Sequence, residues 1–200
     1  FLLCFIVLQG LFGMWTVTLL LWPQVVTAHL LGGFTMLSLL WLLLQRLANV
    51  RWVLKPAEIE RLLRVRSLAL LTLFVVIAQI FLGGWTSSNY AALACPDFPT
   101  CHGVWVPHMD LQQGFNVFQH IGPNYLGGQL ESDARTAIHY VHRLGAVVTT
   151  LVVLSLSTAL WRTAVLLAKR MAMVLVAVLF LQVALGISNV IFALPLMVAV

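Results

Sequence analysis

The chain has 200 residues, of which 62% are hydrophobic and 8% charged, against roughly 25% charged residues in ordinary soluble domains. With 11 Lys and Arg, 6 Asp and Glu and a mean hydropathy of +1.01, it can neither coat a water-soluble globule nor stay disordered in water, and it reads as an all-α integral membrane chain. The net charge of +5 sits in short loops between apolar runs, where the positive-inside rule puts it, so nucleic acid is excluded as a partner.

Apolar runs of about 20 residues, enough at about 1.5 Å per residue to cross the hydrocarbon core, begin with Phe1–Leu21 and Val25–Gln45. Trp22-Pro23 separates them, because proline cannot continue a helical hydrogen-bond ladder and disfavours helix in the residue before it; a tight hairpin follows. The loop Arg46–Arg66 carries six Lys or Arg against Glu58 and Glu60 and is expected to face the cytoplasm or matrix. A third run covers Ser67–Ala92. The loop Leu93–Arg135 holds four acids (Asp97, Asp110, Glu131, Asp133) and one base, so it belongs on the opposite side. Within it, Asp110–His120 is read as a short interfacial helix with Leu111, Phe115 and Phe118 on one face. Thr136–Leu160, a basic turn at Arg162–Arg170 and Met171–Ile191 complete five predicted spans. The first run opens without an initiator Met and the chain stops inside another apolar stretch; the sequence is read as a fragment, and no signal peptide is assigned.

A motif recurs in three of the runs: Gln9 to Thr16, Gln79 to Thr86 and Gln182 to Ser188 share Gln-x-x-x-Gly. Residues i and i+4 lie on one helix face, so each copy presents a polar amide beside a small residue that permits close helix approach. Generic packing by small residues explains a single copy equally well. Three copies in the same order point to a duplicated architecture. Their separations of 70 and 103 residues exclude a simple three-unit tandem.

All six carboxylates fall in loops, so histidine is the chemical candidate inside the spans. His102, His108 and His120 lie in the outer loop; His29, His139 and His142 lie in apolar runs, where an ionisable side chain is costly and functional by default. His29 is placed near the outer end of the second run, with Thr27, Gly32 and Gly33 leaving room for a flat, bulky group. His142 is placed at similar depth in the fourth. Imidazoles projecting into a bundle core suit axial ligation of haem iron; an interhelical hydrogen bond or a snorkelling side chain is the competing explanation. Arg143 follows His142 and shares a helix face with His139 at i,i+4. Its guanidinium fork suits a haem propionate, or it snorkels to headgroups.

Cys4 is read as a small hydrophobe. Cys95 and Cys101 flank Pro96 and Pro99 in the outer loop, and a disulfide is expected in that oxidising compartment. A metal site with His102 and His108 matches no standard zinc spacing. A redox-active role for the pair stays open.

Together, Gln9 to Trp15, His29, Cys95 with Cys101 six apart, and His142-Arg143 resemble, in order, the motifs of the haem A synthase family of the CtaA and Cox15 type. The resemblance covers most of the 200 residues. It implies two fused four-helix bundles with eight spans, each with a bis-histidine haem site near the outer face, of which this chain resembles helices three to seven. Residues 1–66 would then end the N-terminal bundle and carry a cytoplasmic linker, and 67–200 would form the C-terminal bundle with outer loop 93–135. His29 would ligate the iron of haem O, the substrate, and His142 that of haem b, each with a partner histidine outside the chain; His139 and Arg143 would contact the cofactor.

The implied reaction oxidises a methyl group of haem O to a formyl group, giving haem A for cytochrome oxidase biogenesis. The family's catalytic Glu would lie outside the chain, so no catalytic residue is named and the piece alone is expected to be inactive. Implied partners are haem O and haem A, the lipid bilayer, haem O synthase and cytochrome oxidase assembly factors. The expected location is the bacterial plasma membrane, with the mitochondrial inner membrane as alternative. The competing functions are a non-catalytic haem-binding or delivery protein and a membrane thiol oxidoreductase; the second lacks a Cys-x-x-Cys.

Overall fold

The computed structural model describes residues 1–49, 52–121 and 130–193. Arg51 of the basic loop and residues 122–129 of the outer loop lie outside that description. Among the described residues the secondary structure is helical, without strands: α1 (Leu2–Thr18), α2 (Pro23–Leu47), α3 (Pro56–Leu63), α4 (Arg66–Ser88), α5 (Leu111–Gly114), α6 (Ser132–Arg162) and α7 (Leu166–Ile191). Four of these, α2, α4, α6 and α7, are long and apolar enough to cross a membrane, and the chain is a multi-pass membrane protein.

Against the expected five spans, four helices among the described residues are long and apolar enough to cross a membrane, α1 being the shorter one. The first run forms a helix of 17 residues, about 26 Å at 1.5 Å per residue against a hydrocarbon core of about 30 Å. It stops at Thr18, not Leu21, because Leu20 and Leu21 take left-handed φ of 53° and 57°. There the Leu21 N–H turns back to the Thr16 carbonyl at 2.9 Å and the Leu20 N–H to Val17 at 3.1 Å. Pro23 then opens α2 at its first turn, where a missing N–H costs nothing.

Many apolar side chains along the spans face outward: Phe74 of α4 is 71% exposed and Phe180 of α7 76%. In water that would be a liability, but in lipid the backbone is satisfied within each helix and apolar side chains meet acyl chains.

The basic loop contains a helix that the apolar pattern alone does not reveal. Pro56 starts α3, the Glu58 carboxylate accepts from the Lys55 N–H at 2.8 Å, and Glu60 pairs with Arg64 at 3.1 Å. The interfacial helix expected over Asp110–His120 shrinks to the four residues of α5. Asp110 caps it by accepting from the Gln113 N–H at 2.9 Å. Leu111, Phe115 and Phe118 do not share an apolar face: Phe115 packs inward, while Phe118 is 84% exposed.

The chain divides into two compact units. One comprises Phe1–Trp52, Ile80–Ala94 and His108–His139; the other comprises Val53–Gln79, Cys95–Pro107 and Tyr140–Val200. In the first, Trp85, Ala91, Leu130, Ala134 and Ile138 form a core against which Phe81 and Phe115 pack. The Trp85 indole N–H donates to the Gly114 carbonyl at 2.9 Å, satisfying the polar tip of a buried aromatic. Gly114 has to be glycine here, since a Cβ would stand 2.7 Å from the Ala134 backbone oxygen. The loop is tied further by Asp110 N–H to Asp133 carbonyl at 3.1 Å, by Trp22 Nε1 to the Gln119 carbonyl at 2.8 Å and by Gln24 Nε2 to Val117 at 2.8 Å.

Candidate functional site

The candidate residues fall into two places, one in each unit. In the first, α1 packs against α2, and two glycines set the approach. A Cβ on Gly13 would stand 3.2 Å from Cε1 of His29, so the imidazole lies on the glycine. One turn along α2, a Cβ on Gly32 would stand 1.7 Å from Nε2 of Gln9. The first Gln-x-x-x-Gly copy thus meets the histidine helix twice, its glycine under the His29 ring and its glutamine over Gly32. The space that the sequence assigned beside Gly32 is therefore taken by the Gln9 amide; beside Gly33 it is open, with nothing within 4 Å of a Cβ. His29 Nδ1 is buried with no hydrogen-bond partner among the described residues.

In the second place, α4 meets α6 through the second copy. Nε2 of Gln79 lies 3.1 Å from Nδ1 of His142 and donates to the His142 carbonyl at 3.1 Å. An amide nitrogen has only hydrogens to offer, so Nδ1 is the acceptor. Gln79 Oε1 is buried with no partner among the described residues.

Beside His142, Arg143 organises the cysteine loop. Nη1 donates to the carbonyls of Asp97 at 2.9 Å and Thr100 at 2.8 Å, and Nη2 to the carbonyl of Cys95 at 2.8 Å. The Phe98 ring lies 6.0 Å from its Cζ, within cation–π range. All four residues lie in the ring closed by the Cys95–Cys101 disulfide, which was expected from the loop's compartment. Three of the five guanidinium N–H groups are spent there. A cofactor carboxylate would share the fork with the loop.

The loop closes on a second centre, Asp97. Its Oδ1 accepts from the His102 N–H at 2.6 Å, and its Oδ2 from the Gly103 N–H at 3.0 Å and from the Thr100 hydroxyl. The positive φ of His102 and Gly103, 55° and 74°, turns both amides toward the carboxylate. The Thr100 hydroxyl and the Gly103 amide, with His102 adding to them, hold its pKa down at about 2 from 3.8. Hydrogen bonds that favour the ionised form act in this direction.

The other candidates are separate. His139, three residues before His142 on α6, is buried; His102, His108 and His120 are exposed, with His108 Nδ1 2.8 Å from the Asp133 carboxylate. Cys4 is exposed on α1. Cys95 and Cys101 are bonded to each other, so they cannot ligate zinc with His102 and His108. Among the described residues no group of three or more His, Cys, Asp or Glu could hold a metal ion.

Sequence reasoning picked out Gln79 as a helix-packing amide and missed its bond to His142. They are 63 residues apart, and no spacing rule links them. The signal available was the recurrence of an amide four residues before a small residue in runs adjoining histidine helices.

A family profile described as COX15-CtaA, cytochrome oxidase assembly protein, matches residues 1–200. A curated relative named "Heme A synthase", from Shewanella oneidensis, is 46% identical over all 200 residues of the chain, which spans 59% of that relative's length. No solved structure matches the chain.

Proposed function

The chain belongs to the COX15-CtaA family of cytochrome oxidase assembly proteins, and from that premise we propose that the complete protein is a haem A synthase, oxidising a methyl group of haem O to a formyl group. The observation that carries this reading is the 46% identity to a heme A synthase along the entire chain. In this reading His29 ligates the iron of haem O and His142 that of haem b. Residues 1–66 end one helical bundle and 67–200 form most of a second, within an eight-span protein of the bacterial plasma membrane. The partner histidines and the catalytic carboxylate belong to the remainder of the protein, and haem O synthase and oxidase assembly factors are its expected partners.

The donor set fits an iron porphyrin. The described residues offer single imidazoles and no cluster for a bare ion, and a porphyrin would bring the remaining ligands that such a site lacks. When bound, haem supplies the redox chemistry. The chain's own residues seat the rings: His29 against Gly13, with Nδ1 buried and unpartnered among the described residues, and His142 against Gln79. Arg143 reaches a propionate only while also holding the disulfide ring, and His139 stands beside it on α6. That Cys95 and Cys101 are 0% and 1% exposed favours a structural disulfide over a thiol oxidoreductase, since exposed disulfides are the labile ones.

The test is haem O conversion, with bound-pigment analysis, in the complete protein and in its His29→Ala and His142→Ala variants. Each substitution is expected to remove conversion and the haem of its own site. Normal conversion with both changed, or no haem in the unaltered protein, overturns the reading.

A further inference from the structure

We infer that Gln79 is the positioning residue for His142: its amide selects which ring nitrogen faces the iron, and it turns over when the iron is bound. This rests on the proposed ligand role of His142. A neutral imidazole carries one proton. With Gln79 Nε2 donating to Nδ1 at 3.1 Å, that proton is on Nε2, the nitrogen directed away from Gln79. For Nε2 to ligate, the proton must sit on Nδ1, where it faces an amide NH₂ and two donors collide.

Gln79 holds the remedy, because its Oε1 is buried and has no partner among the described residues. A half-turn about the last side-chain torsion exchanges the two ends of the amide. Oε1 then accepts from Nδ1–H, Nε2 of the histidine is free to ligate, and the ring still carries one proton. What is given up is the bond from Gln79 Nε2 to the His142 carbonyl at 3.1 Å, and the side chain must also shift so that Oε1 does not face that carbonyl, a second acceptor. That carbonyl belongs to a residue inside α6, where the helix ladder supplies another donor. Ligating histidines usually have their second ring nitrogen fixed by an acceptor that raises ligand basicity. No carboxylate lies within the predicted spans to do this, and an amide brings an acceptor without a buried charge.

The experiment is a reductive titration of bound haem in the complete protein carrying His29→Ala, so that the other site contributes no signal. Gln79→Leu, similar in size but without polar atoms, and Gln79→Glu, a permanent acceptor, are compared with Gln79. The expected order of midpoint potential is Glu lowest, Gln intermediate and Leu highest, because a stronger acceptor on Nδ1 favours the oxidised iron. Gln79→Leu should also weaken haem retention by about tenfold or more. Equal midpoints in all three, or Glu and Leu moving together, overturn the inference. If Gln79→Leu does not assemble, Gln79→Glu, which has the same shape as Gln, decides alone. His142→Ala is titrated alongside. If it keeps the haem, the ligand assignment itself fails. If it loses the haem while the Gln79 variants keep the parent midpoint, only the role of Gln79 fails.

Discussion

The two histidine places are held by opposite means. At His142 the grip is polar: an amide on the ring nitrogen, and next to it a guanidinium donating to three carbonyls of a disulfide-closed ring. At His29 the grip is by shape: an imidazole lying on Gly13 and a glutamine lying on Gly32, with Nδ1 left unpartnered among the described residues. A copy of the Gln-x-x-x-Gly motif serves each place, but in the second copy the glutamine reaches the histidine and in the first the glycine does. Hydrogen bonds fix direction, while packing on a glycine fixes only distance. On the proposed assignment, a ring held by polar bonds suits a cofactor that stays, and a ring whose Nδ1 has no partner among the described residues suits a site that exchanges substrate for product.

The comparison breaks most sharply at Arg143. Arg143→Ala leaves the carbonyls of Cys95, Asp97 and Thr100 without their donor, and a cost of about 2–4 kcal/mol is expected for losing charge-assisted bonds, read as thermal unfolding in detergent. Arg143→Lys should recover only part of it, because a single ammonium cannot reproduce the planar fork. An Ala variant that melts with the parent would mean that the polar grip holds nothing. On the shape side, Gly32→Ala puts a methyl 1.7 Å from Gln9 Nε2. The amide must leave, an overpacking cost of about 1–3 kcal/mol that the better helix propensity of Ala offsets by up to about 1. The net loss is therefore expected to be smaller than for Arg143→Ala, and the same melting measurement ranks the two.

How far the sequence reached follows the same division. Helix existence was legible wherever a long apolar run met a breaker: Pro23 marked the start of α2 and the compartment of Cys95 and Cys101 implied their bond. Helix ends were less legible. Thr18 closes α1 through left-handed leucines, residues with no propensity for that conformation, so the local pattern gave no warning. The α3 helix is amphipathic and charged, and a search for apolar runs passes over it, although Pro56 and Glu58 stand where a first helical turn wants them. At the candidate sites the sequence singled out candidate residues and not their neighbours in space. His29, His142 and Arg143 stand out as costly groups in apolar runs, whereas Gln79 against His142 and Gln9 against Gly32 are made by chain segments 63 and 23 residues apart. Where Arg143 sends its fork depends on a loop fold that composition does not encode.

Gly13→Ala sharpens the contrast at lower energy. The added methyl would lie 3.2 Å from Cε1 of His29, so the ring has to move by a few tenths of an ångström. The helix gains up to about 1 kcal/mol of propensity, which roughly offsets the crowding. Unfolding should be nearly unchanged while haem retention at the proposed His29 site falls, since metal ligation is sensitive to small displacements of the ligand. Unchanged retention and unchanged melting together would show that the ring has slack, and that Gly13 does not set its position.

The smallest effect is electrostatic and belongs to one region only. Residues 1–47, which contain α1 and α2, have no Asp or Glu, so mild acid has no carboxylate to titrate in that hairpin. The cysteine ring has Asp97, held down at about 2 from 3.8. A folded-state pKa below the unfolded value means that the carboxylate contributes stability above about pH 4 and loses it as the pH falls through about 2. The group is only partly buried, so solvent screening keeps the contribution small. Carbon-13 NMR of the Asp97 carboxyl should give a midpoint near 2, and Thr100→Val, which removes the largest cause, should raise it toward 3.8. A midpoint already near 3.8 in the unaltered protein would mean that the Thr100 hydroxyl and the His102 and Gly103 amides do not converge on the carboxylate. The three carbonyls that Arg143 reads would then lose the turn that presents them.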